Sequence, residues 1–318
     1  MKLLKATLLA TLTLFFVTAC DDDDDDTSST LSAATIADAA VADGNFTTLV
    51  AAAQQADLVD TLSDPNAELT VFAPTDAAFE KFLMENNLTA DELLGSPDLA
   101  DILTYHVIAG EVDAATAIGL AGTTVEKVNG DNSALSLSGE NLLVNTATVT
   151  ATDILTGNGI IHVIDAVLVP PADVGEPTSN IVETAINDGR FTVLVQALIT
   201  ANLDGALADE NETYTVFAPT DDAFTALLAE LNIDAATLLA NPDLATILLN
   251  HVVQDAAVDS VTAMSLNGTS ATTMAMKEIA IAIDEETDTL TVGGSTVIIR
   301  DVYTTNGVIH VIDAVIID

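Results

Sequence analysis

The chain has 318 residues and a formal net charge of −42, from 49 acidic and 7 basic side chains. So acidic a chain is not expected to bind nucleic acid or anionic lipid by charge, because both need clustered lysine and arginine. Apolar residues make up 49% of the chain and aromatic residues 4%, so a core is possible and must be mainly aliphatic.

The N-terminus has the pattern of an export signal. Lys2 and Lys5 precede an apolar run over residues 6–17, which is too short to cross a hydrocarbon core of about 30 Å as a helix. The four residues that end at Cys20 (VTAC) resemble a bacterial lipobox. The resemblance implies a lipid on Cys20 and a signal peptide over 1–19; the alternative is a lone cysteine beside a conventional cleavage site.

Six consecutive aspartates follow Cys20, and residues 20–30 are predicted to be a disordered tether because like charges repel and bury no apolar area. Calcium binding is the alternative, but no glycine-directed turn or ligand spacing organises these carboxylates. Acidic stretches at this place resemble surface-export signals in some bacterial lipoproteins and inner-membrane retention signals in others. We therefore expect a cell-envelope location, with the outer membrane or cell surface favoured and the periplasmic face of the inner membrane as the alternative.

Two heptapeptides occur twice in the chain. The one that begins at Thr70 (TVFAPTD) recurs at Thr215, and the one that begins at Ile161 (IHVIDAV) recurs at Ile309. So long a period indicates a duplicated domain, because solenoid units repeat every 20–50 residues or so. Prolines 170, 171 and 177 mark the predicted linker, so the predicted organisation is domain 1 over 31–169, linker over 170–177 and domain 2 over 178–318.

The two copies have the same predicted elements. In the first copy, helices begin near Ile36 and Phe46, a strand covers 69–73, and Thr75 with Asp76 caps the next helix. An Asn-Gly pair at 158–159 indicates a hairpin before the last strand. Later strands are predicted over residues 134–138, 142–145, 148–152 and 160–169, and over 279–283, 290–292, 296–300 and 308–317. Helices first and strands later, without βαβ alternation, predict an α+β fold with a largely antiparallel sheet.

The repeated segments resemble the two boxes of the fasciclin (FAS1) family: 70–79 and 215–224 the first box, and 159–169 and 307–317 the second. Tyr105-His106 is similar to the family's Tyr-His motif, which the second copy changes to Asn250-His251. The resemblance implies a β wedge or sandwich with flanking helices, and adhesion or protein interaction as the role. It also implies structural motif residues at Thr75, Asp76, His162, Asp165, Thr220, Asp221, His310 and Asp313, and candidate interaction residues at Tyr105, His106, Asn250 and His251.

Metal binding and catalysis are the alternatives to a structural or interaction role for these residues. No two histidines have the one-turn spacing of a shared helix face, so we predict no metal and no cofactor, and Asp76 as the hydrogen-bond partner of His106. The chain has no Gly-x-Ser-x-Gly elbow, and its one cysteine is assigned to lipidation, so we predict no enzyme activity. The acidic segment 284–288 is predicted to be a solvated hairpin loop.

The predicted function is therefore that of a lipid-anchored, non-catalytic adhesion or protein-interaction protein with two fasciclin-like domains. Its partner would be an extracellular or envelope protein or glycan, and its membrane contact would be the lipid on Cys20. The alternative is an envelope protein that binds a small molecule or glycan, which a concave pocket with convergent polar groups would favour.

Overall fold

The computed structural model describes residues 34–172 and 175–317. The predicted signal peptide, the predicted lipidation site at Cys20 and the predicted acidic tether lie outside the described residues. No helix within the described ranges has the length and the apolar character to cross a bilayer.

Seven helices and seven strands are found in the described residues of the first repeat. They are α1 (Ile36–Asp43), α2 (Thr47–Gln55), α3 (Val59–Ser63), β1 (Leu69–Pro74), α4 (Asp76–Glu85), α5 (Ala90–Leu94), α6 (Leu99–Thr104), β2 (Val107–Ala109), α7 (Ala114–Gly119), β3 (Thr123–Glu126), β4 (Asn132–Ser138), β5 (Asn141–Val144), β6 (Ala147–Thr156) and β7 (Gly159–Ile164).

The second repeat has the same elements in the same order. They are α8 (Ile181–Asp188), α9 (Thr192–Thr200), α10 (Asp204–Leu207), β8 (Tyr214–Pro219), α11 (Asp221–Leu231), α12 (Ala235–Leu239), α13 (Leu244–Leu249), β9 (Val252–Gln254), α14 (Ser260–Ser265), β10 (Thr269–Thr272), β11 (Glu278–Asp284), β12 (Thr289–Val292), β13 (Ser295–Thr304) and β14 (Gly307–Ile312).

The first helix of each repeat begins at a capping box. Thr35 accepts a hydrogen bond from the backbone N–H of Asp38, whose carboxylate accepts one from the Thr35 N–H, and Asn180 with Glu183 does the same in α8. Both helices end at a glycine in the left-handed region, where a residue without Cβ is favoured. Local sequence therefore sets both ends of these helices.

Each repeat forms one seven-stranded sheet in the order β2-β1-β7-β6-β5-β4-β3, with β9-β8-β14-β13-β12-β11-β10 as its counterpart. The pair β1·β7 is parallel, as is β8·β14, and the other pairs are antiparallel. The predicted α+β class with a largely antiparallel sheet is therefore confirmed. The parallel pair joins the two family boxes side by side, with Phe72 opposite His162.

The last strand of each repeat is shorter than the sequence predicted. It was expected to run to residue 169 or 317, but β7 ends at Ile164 and β14 at Ile312. The next residue is an aspartate whose carboxylate accepts a hydrogen bond from the neighbouring strand, Asp165 from Thr148 N–H at 2.7 Å and Asp313 from Thr296 N–H at 2.8 Å. A side chain thus replaces the next backbone acceptor, and the strand stops.

The hairpin before the last strand forms as predicted, with residues 157–158 as its turn and Gly159 as the first residue of β7. Asn158 is buried, and its amide contacts three backbone groups of the opening helical segment. It accepts a hydrogen bond from Ile36 N–H at 2.8 Å and donates to the carbonyls of Leu62 and Asp64, each at 3.0 Å. This side chain therefore joins the hairpin to the helices that begin the domain.

Candidate functional site

The residues of the first box hold the helices in place. Thr75 caps α4 by accepting a hydrogen bond at 3.2 Å, and the carboxylate of Asp76 accepts one from the Thr48 N–H at 2.7 Å, at the start of α2. Partial burial favours a higher pKa for Asp76, but the hydrogen bonds from Thr47 and Thr48 outweigh it and lower the pKa. The same arrangement in the second repeat uses Thr220 and Asp221.

His106 does not bond to Asp76, so that prediction is wrong. Its Nδ1–H donates to the Ile102 carbonyl at 2.7 Å, one turn earlier, and its Nε2 accepts from the Leu168 N–H at 2.9 Å. Burial lowers its pKa to about 4, so the ring is neutral at physiological pH. His251 has the same two kinds of contact and also a pKa lowered to about 4 by burial. Each of these histidines holds the chain segment that follows the last strand of its repeat, at Leu168 in the first and at Ile316 in the second.

Tyr105 is buried, and its hydroxyl donates to the Asn132 carbonyl at 2.7 Å and accepts from Asn145 Nδ2 at 3.0 Å. Asn250 takes its place in the second repeat and is also buried, with no hydrogen-bond partner for its Oδ1 among the described residues. Direct contact with a partner needs an exposed side chain. The structure therefore corrects the assignment of four buried residues as candidate interaction residues: Tyr105, His106, Asn250 and His251.

The second-box histidines are interior residues of the sheet. His162 is stacked on Phe72 with ring centroids 5.5 Å apart, and its Nε2 lies 2.8 Å from the Val112 carbonyl. His310 and Phe217 repeat this pair at 5.7 Å. Within residues 34–172 and 175–317, no group of three or more His, Cys, Asp or Glu side chains is arranged to hold a metal ion.

The two repeats are docked against each other and belong to one compact body. Helix α14 of the second repeat packs on β3 and β4 of the first. Ala134 and Leu143 are fully buried among apolar residues of the second repeat that include Val261 and Met264. The outer face of the first sheet is therefore covered at this end by the second domain.

Polar contacts surround this apolar junction. Lys81 forms an ion pair with Asp288, Asn141 Nδ2 donates to Glu285 at 3.0 Å, and Asn267 Nδ2 donates to a backbone carbonyl of the first repeat at 3.2 Å. The segment 284–288 forms the hairpin loop between β11 and β12, as predicted, and residues 284–287 are exposed. The finding that the sequence did not predict is that two of its carboxylates also contact the first domain.

We expect Leu143→Asp to separate the two domains, because it places a charge in the apolar contact with α14. The radius of gyration from small-angle X-ray scattering should rise, while circular dichroism should still show both folded domains. The matched control is Thr291→Asp, because Thr291 occupies the same position in β12 of the second repeat, outside the apolar cluster of the junction. An unchanged radius of gyration in folded Leu143→Asp protein would contradict the docking.

A cleft of about 480 Å³ lies beside this junction. Its wall combines the linker residues 170–172, Asn145 of the first domain and part of β13, including Arg300, Asp301 and Tyr303. Asn145 also bonds the Tyr105 hydroxyl, and His106 fixes Leu168 two residues before the linker. The buried motif residues thus position two parts of the cleft wall without touching a ligand.

Arg300 places a cation in the cleft wall, next to the carboxylate of Asp301. It is exposed, and one of its guanidinium nitrogens lies 4.0 Å from Met264 Sδ, whereas Lys81 and Arg190 are engaged in ion pairs. Partial burial and the neighbouring Asp301 raise the pKa of Tyr303 to about 12, so its phenol is a hydrogen-bond donor at physiological pH. A cation, a phenol and apolar side chains together can bind an anionic or hydroxyl-rich ligand group.

Lys127 was not singled out by the sequence, and it is the most unusual titratable residue of the first domain. Its side chain is buried, its Nζ lies 4.1 Å above the Phe72 ring, and no hydrogen-bond partner for Nζ occurs among the described residues. Burial alone lowers its pKa to about 7. The Phe72 ring compensates part of the cost of this charge, and no carboxylate of the described ranges forms an ion pair with Nζ.

Comparison with known proteins gives the same answer for both halves of the chain. A family model for the fasciclin domain matches residues 44–170 and 189–318. An uncharacterized protein of Synechocystis sp. is 45% identical over 133 residues, which are 42% of this chain and 96% of that protein. Immunogenic protein MPB70 of Mycobacterium bovis is 39% identical over 143 residues, covering 43% of this chain and 69% of that protein.

Larger animal proteins match through a small part of their length. Transforming growth factor-beta-induced protein ig-h3 of Sus scrofa is 39% identical over 141 residues, 44% of this chain and 20% of that protein. The structure of a FAS1 domain pair from the insect cell adhesion molecule Fasciclin I is similar with a TM-score of 0.40 and 19% identity, covering 88% of this chain and 95% of that chain. The two family-model matches together span most of the sequence, and the chain is a member of the fasciclin-domain family with two such domains in tandem.

Proposed function

We propose that this protein is a lipid-anchored cell-envelope protein that makes non-catalytic contacts with an extracellular or envelope protein or glycan. The observation that carries the proposal is the junction cleft, because it places exposed Arg300 and half-buried Tyr303 where both domains and the linker meet. Arginine and tyrosine are enriched among the residues that dominate binding energy at interfaces. Docking of the domains adds to this, since a preformed surface loses less entropy on binding.

The interior of each domain supports a non-catalytic role. The histidines at 106, 162, 251 and 310 are buried, with ring nitrogens in contact with backbone groups. A general acid or base must reach a substrate proton and needs a pKa near the working pH. His106 and His251, with pKa values of about 4, do not meet either condition.

The proposed anchor is tested by Cys20→Ser. We expect the precursor to carry no lipid and to keep its signal peptide, because the lipid is attached to the Cys20 sulfur and cleavage just before this residue follows lipidation. Metabolic labelling with an alkyne fatty acid measures the lipid and gel mobility measures the cleavage, with Ser28→Ala in the tether as the control variant. Lipid labelling and normal cleavage of Cys20→Ser would contradict the anchor.

The proposed location is tested by protease treatment of intact cells that express the native protein, with a periplasmic protein as the control. Degradation of both domains while the control survives is the result expected for the cell surface. Full protection would place the domains inside the envelope and would direct the search to periplasmic partners.

Capture of a small molecule or glycan is the second candidate function, and the same cleft favours it. Its volume of about 480 Å³ lies in the usual range for ligand sites, roughly 300–1,000 Å³. Arg300 and Tyr303 line it together with Asn145, whose amide is bonded inside the first domain. A glycan-array screen of the full chain tests this candidate, since a free saccharide that binds and is lost with Arg300→Glu would favour capture.

A further inference from the structure

A second, apolar cavity lies inside domain 1, between the opening helices and the sheet. It has a volume of about 120 Å³ and is separate from the junction cleft. Helices α1, α2 and α3 form one side of it, and strands β1 and β7 form the other. The side chains that define it are Ile36, Ala40, Leu49, Ala53, Val71 and Ile161.

The histidine in the cavity wall has both ring nitrogens engaged in hydrogen bonds and offers none to a ligand. His106 lines the cavity, but its Nδ1–H is bonded to the Ile102 carbonyl and its Nε2 to the Leu168 N–H. Water needs two to four or so polar partners to occupy a buried site, and apolar cavities of similar size remain dry. Three other polar residues line the cavity: Thr104, whose hydroxyl donates to the Ala100 carbonyl at 2.7 Å, and the exposed Gln54 and Thr61. The buried part of the wall is therefore apolar and favours an apolar occupant.

The second domain provides an internal comparison at the same place. Its corresponding cavity has a volume of only about 20 Å³. Leu198 stands in α9 where Ala53 stands in α2, and both side chains are buried. Val182 likewise replaces Ala37. The space in domain 1 is therefore a consequence of two smaller side chains and not of the fold.

The cavity has an apolar mouth. Val41 and Val128 both line it, and they remain 64% and 48% exposed. A ligand can therefore approach between α1 and the residue that follows the buried Lys127. An engineered apolar cavity of about 150 Å³ in another protein binds benzene and xenon, so about 120 Å³ is the right size for a group of that kind.

We propose that the cavity of domain 1 is a binding site for a small apolar molecule, a hydrocarbon group no larger than a benzene ring. The site distinguishes the two domains, since Leu198 already fills it in domain 2. This inference goes beyond the proposed function and does not rest on it, because the cavity is separate from the junction and needs no surface partner.

The test is a titration of the full chain with benzene, followed by NMR of its labelled methyl groups. We expect saturable shifts at Leu49 and Ile161 of domain 1, and no shifts at the equivalent Leu194 and Ile309 of domain 2. The absence of saturable shifts in domain 1 would overturn the proposal, and so would equal shifts in both domains.

Substitutions at equivalent positions should remove benzene binding from domain 1 and introduce it into domain 2. Ala53→Leu should abolish benzene binding in domain 1, because domain 2 shows that leucine fits this position. Leu198→Ala combined with Val182→Ala should create a benzene site in domain 2, with new shifts at Leu194. Unchanged binding by folded Ala53→Leu protein, or no gain in the folded double variant of domain 2, would overturn the assignment. Neither result bears on binding at the junction cleft.

Discussion

Replacing Lys127 by methionine should stabilise the protein at neutral pH. Methionine is unbranched and can follow the same path over the Phe72 ring without a charge, and replacing buried charges by apolar groups of similar volume is often stabilising. The pKa of Lys127 is lowered from 10.5 to about 7 by burial. At about 1.4 kcal/mol per pKa unit, and with Lys127 of the folded protein about half charged at pH 7, we expect the free energy of unfolding to rise by roughly 4 kcal/mol at pH 7.

The gain should depend on pH in a defined direction. Between pH 7 and about 10.5 the unfolded chain holds a proton on Lys127 that the folded chain has released, so the native protein becomes more stable as pH rises. The methionine variant lacks this term. The difference between the two proteins should therefore be largest at and below pH 7 and should shrink as pH approaches 10.

Urea unfolding at pH 6, 7, 8 and 9 measures this effect through the midpoint and slope of each transition. Lys277→Met is the matched control, because Lys277 is exposed and its loss should change stability by less than about 0.5 kcal/mol. A Lys127→Met protein that is less stable than the native one at pH 7, or a difference that does not change with pH, would contradict the buried, unpaired lysine.

Replacing Gly159 by alanine should unfold or severely destabilise domain 1. Gly159 has φ of +150°, and a Cβ there would lie 1.9 Å from the Leu69 carbonyl oxygen in the parallel pair β1·β7. Backbone atoms on both strands would have to move in the middle of the sheet. We expect a loss of more than about 4 kcal/mol, which single substitutions rarely reach.

Thermal unfolding by circular dichroism checks this result. Gly119→Ala is the control, since an added Cβ there meets no atom within 4 Å and the backbone needs no positive φ. Gly307→Ala should destabilise domain 2 in the same way, because its Cβ would lie 1.9 Å from the Tyr214 carbonyl oxygen. A melting temperature of Gly159→Ala within a few degrees of the native value would show that the strands are less closely paired than described.

The features that sequence predicted well are local ones. Three features depend only on neighbouring residues: the capping threonines, the proline that ends β1 and the hairpin before β7. Each of them occurs in both repeats. The length of β7 was predicted wrongly because the Asp165 side chain ends the pairing through a residue 17 positions away. The partner of His106 was missed for the same reason, since Leu168 is 62 positions away.

The sequence contains an indication of the domain junction, but its meaning can be recognised only once the strand pairing of the sheet is known. Residues 142–144 are three consecutive apolar residues, whereas a half-buried strand alternates. The second repeat has Thr291 at the position of Leu143, so only the first sheet has an apolar side chain on its outer face there. Comparison of the two repeats position by position identifies both this contact and the cavity beside Ala53. At each of these positions the two copies of the same fold have side chains of different size or polarity.

The central claim is that the junction cleft is the surface through which the two domains bind a partner. The most direct measurement is binding of the purified, fluorescent mature chain to intact host cells that lack the protein, by flow cytometry. We predict that Arg300→Glu combined with Tyr303→Ala abolishes binding. The matched control, Thr152→Glu with Leu155→Ala at the same positions of β6, should bind like the native chain. Equal binding by native protein and folded junction variant would contradict the claim.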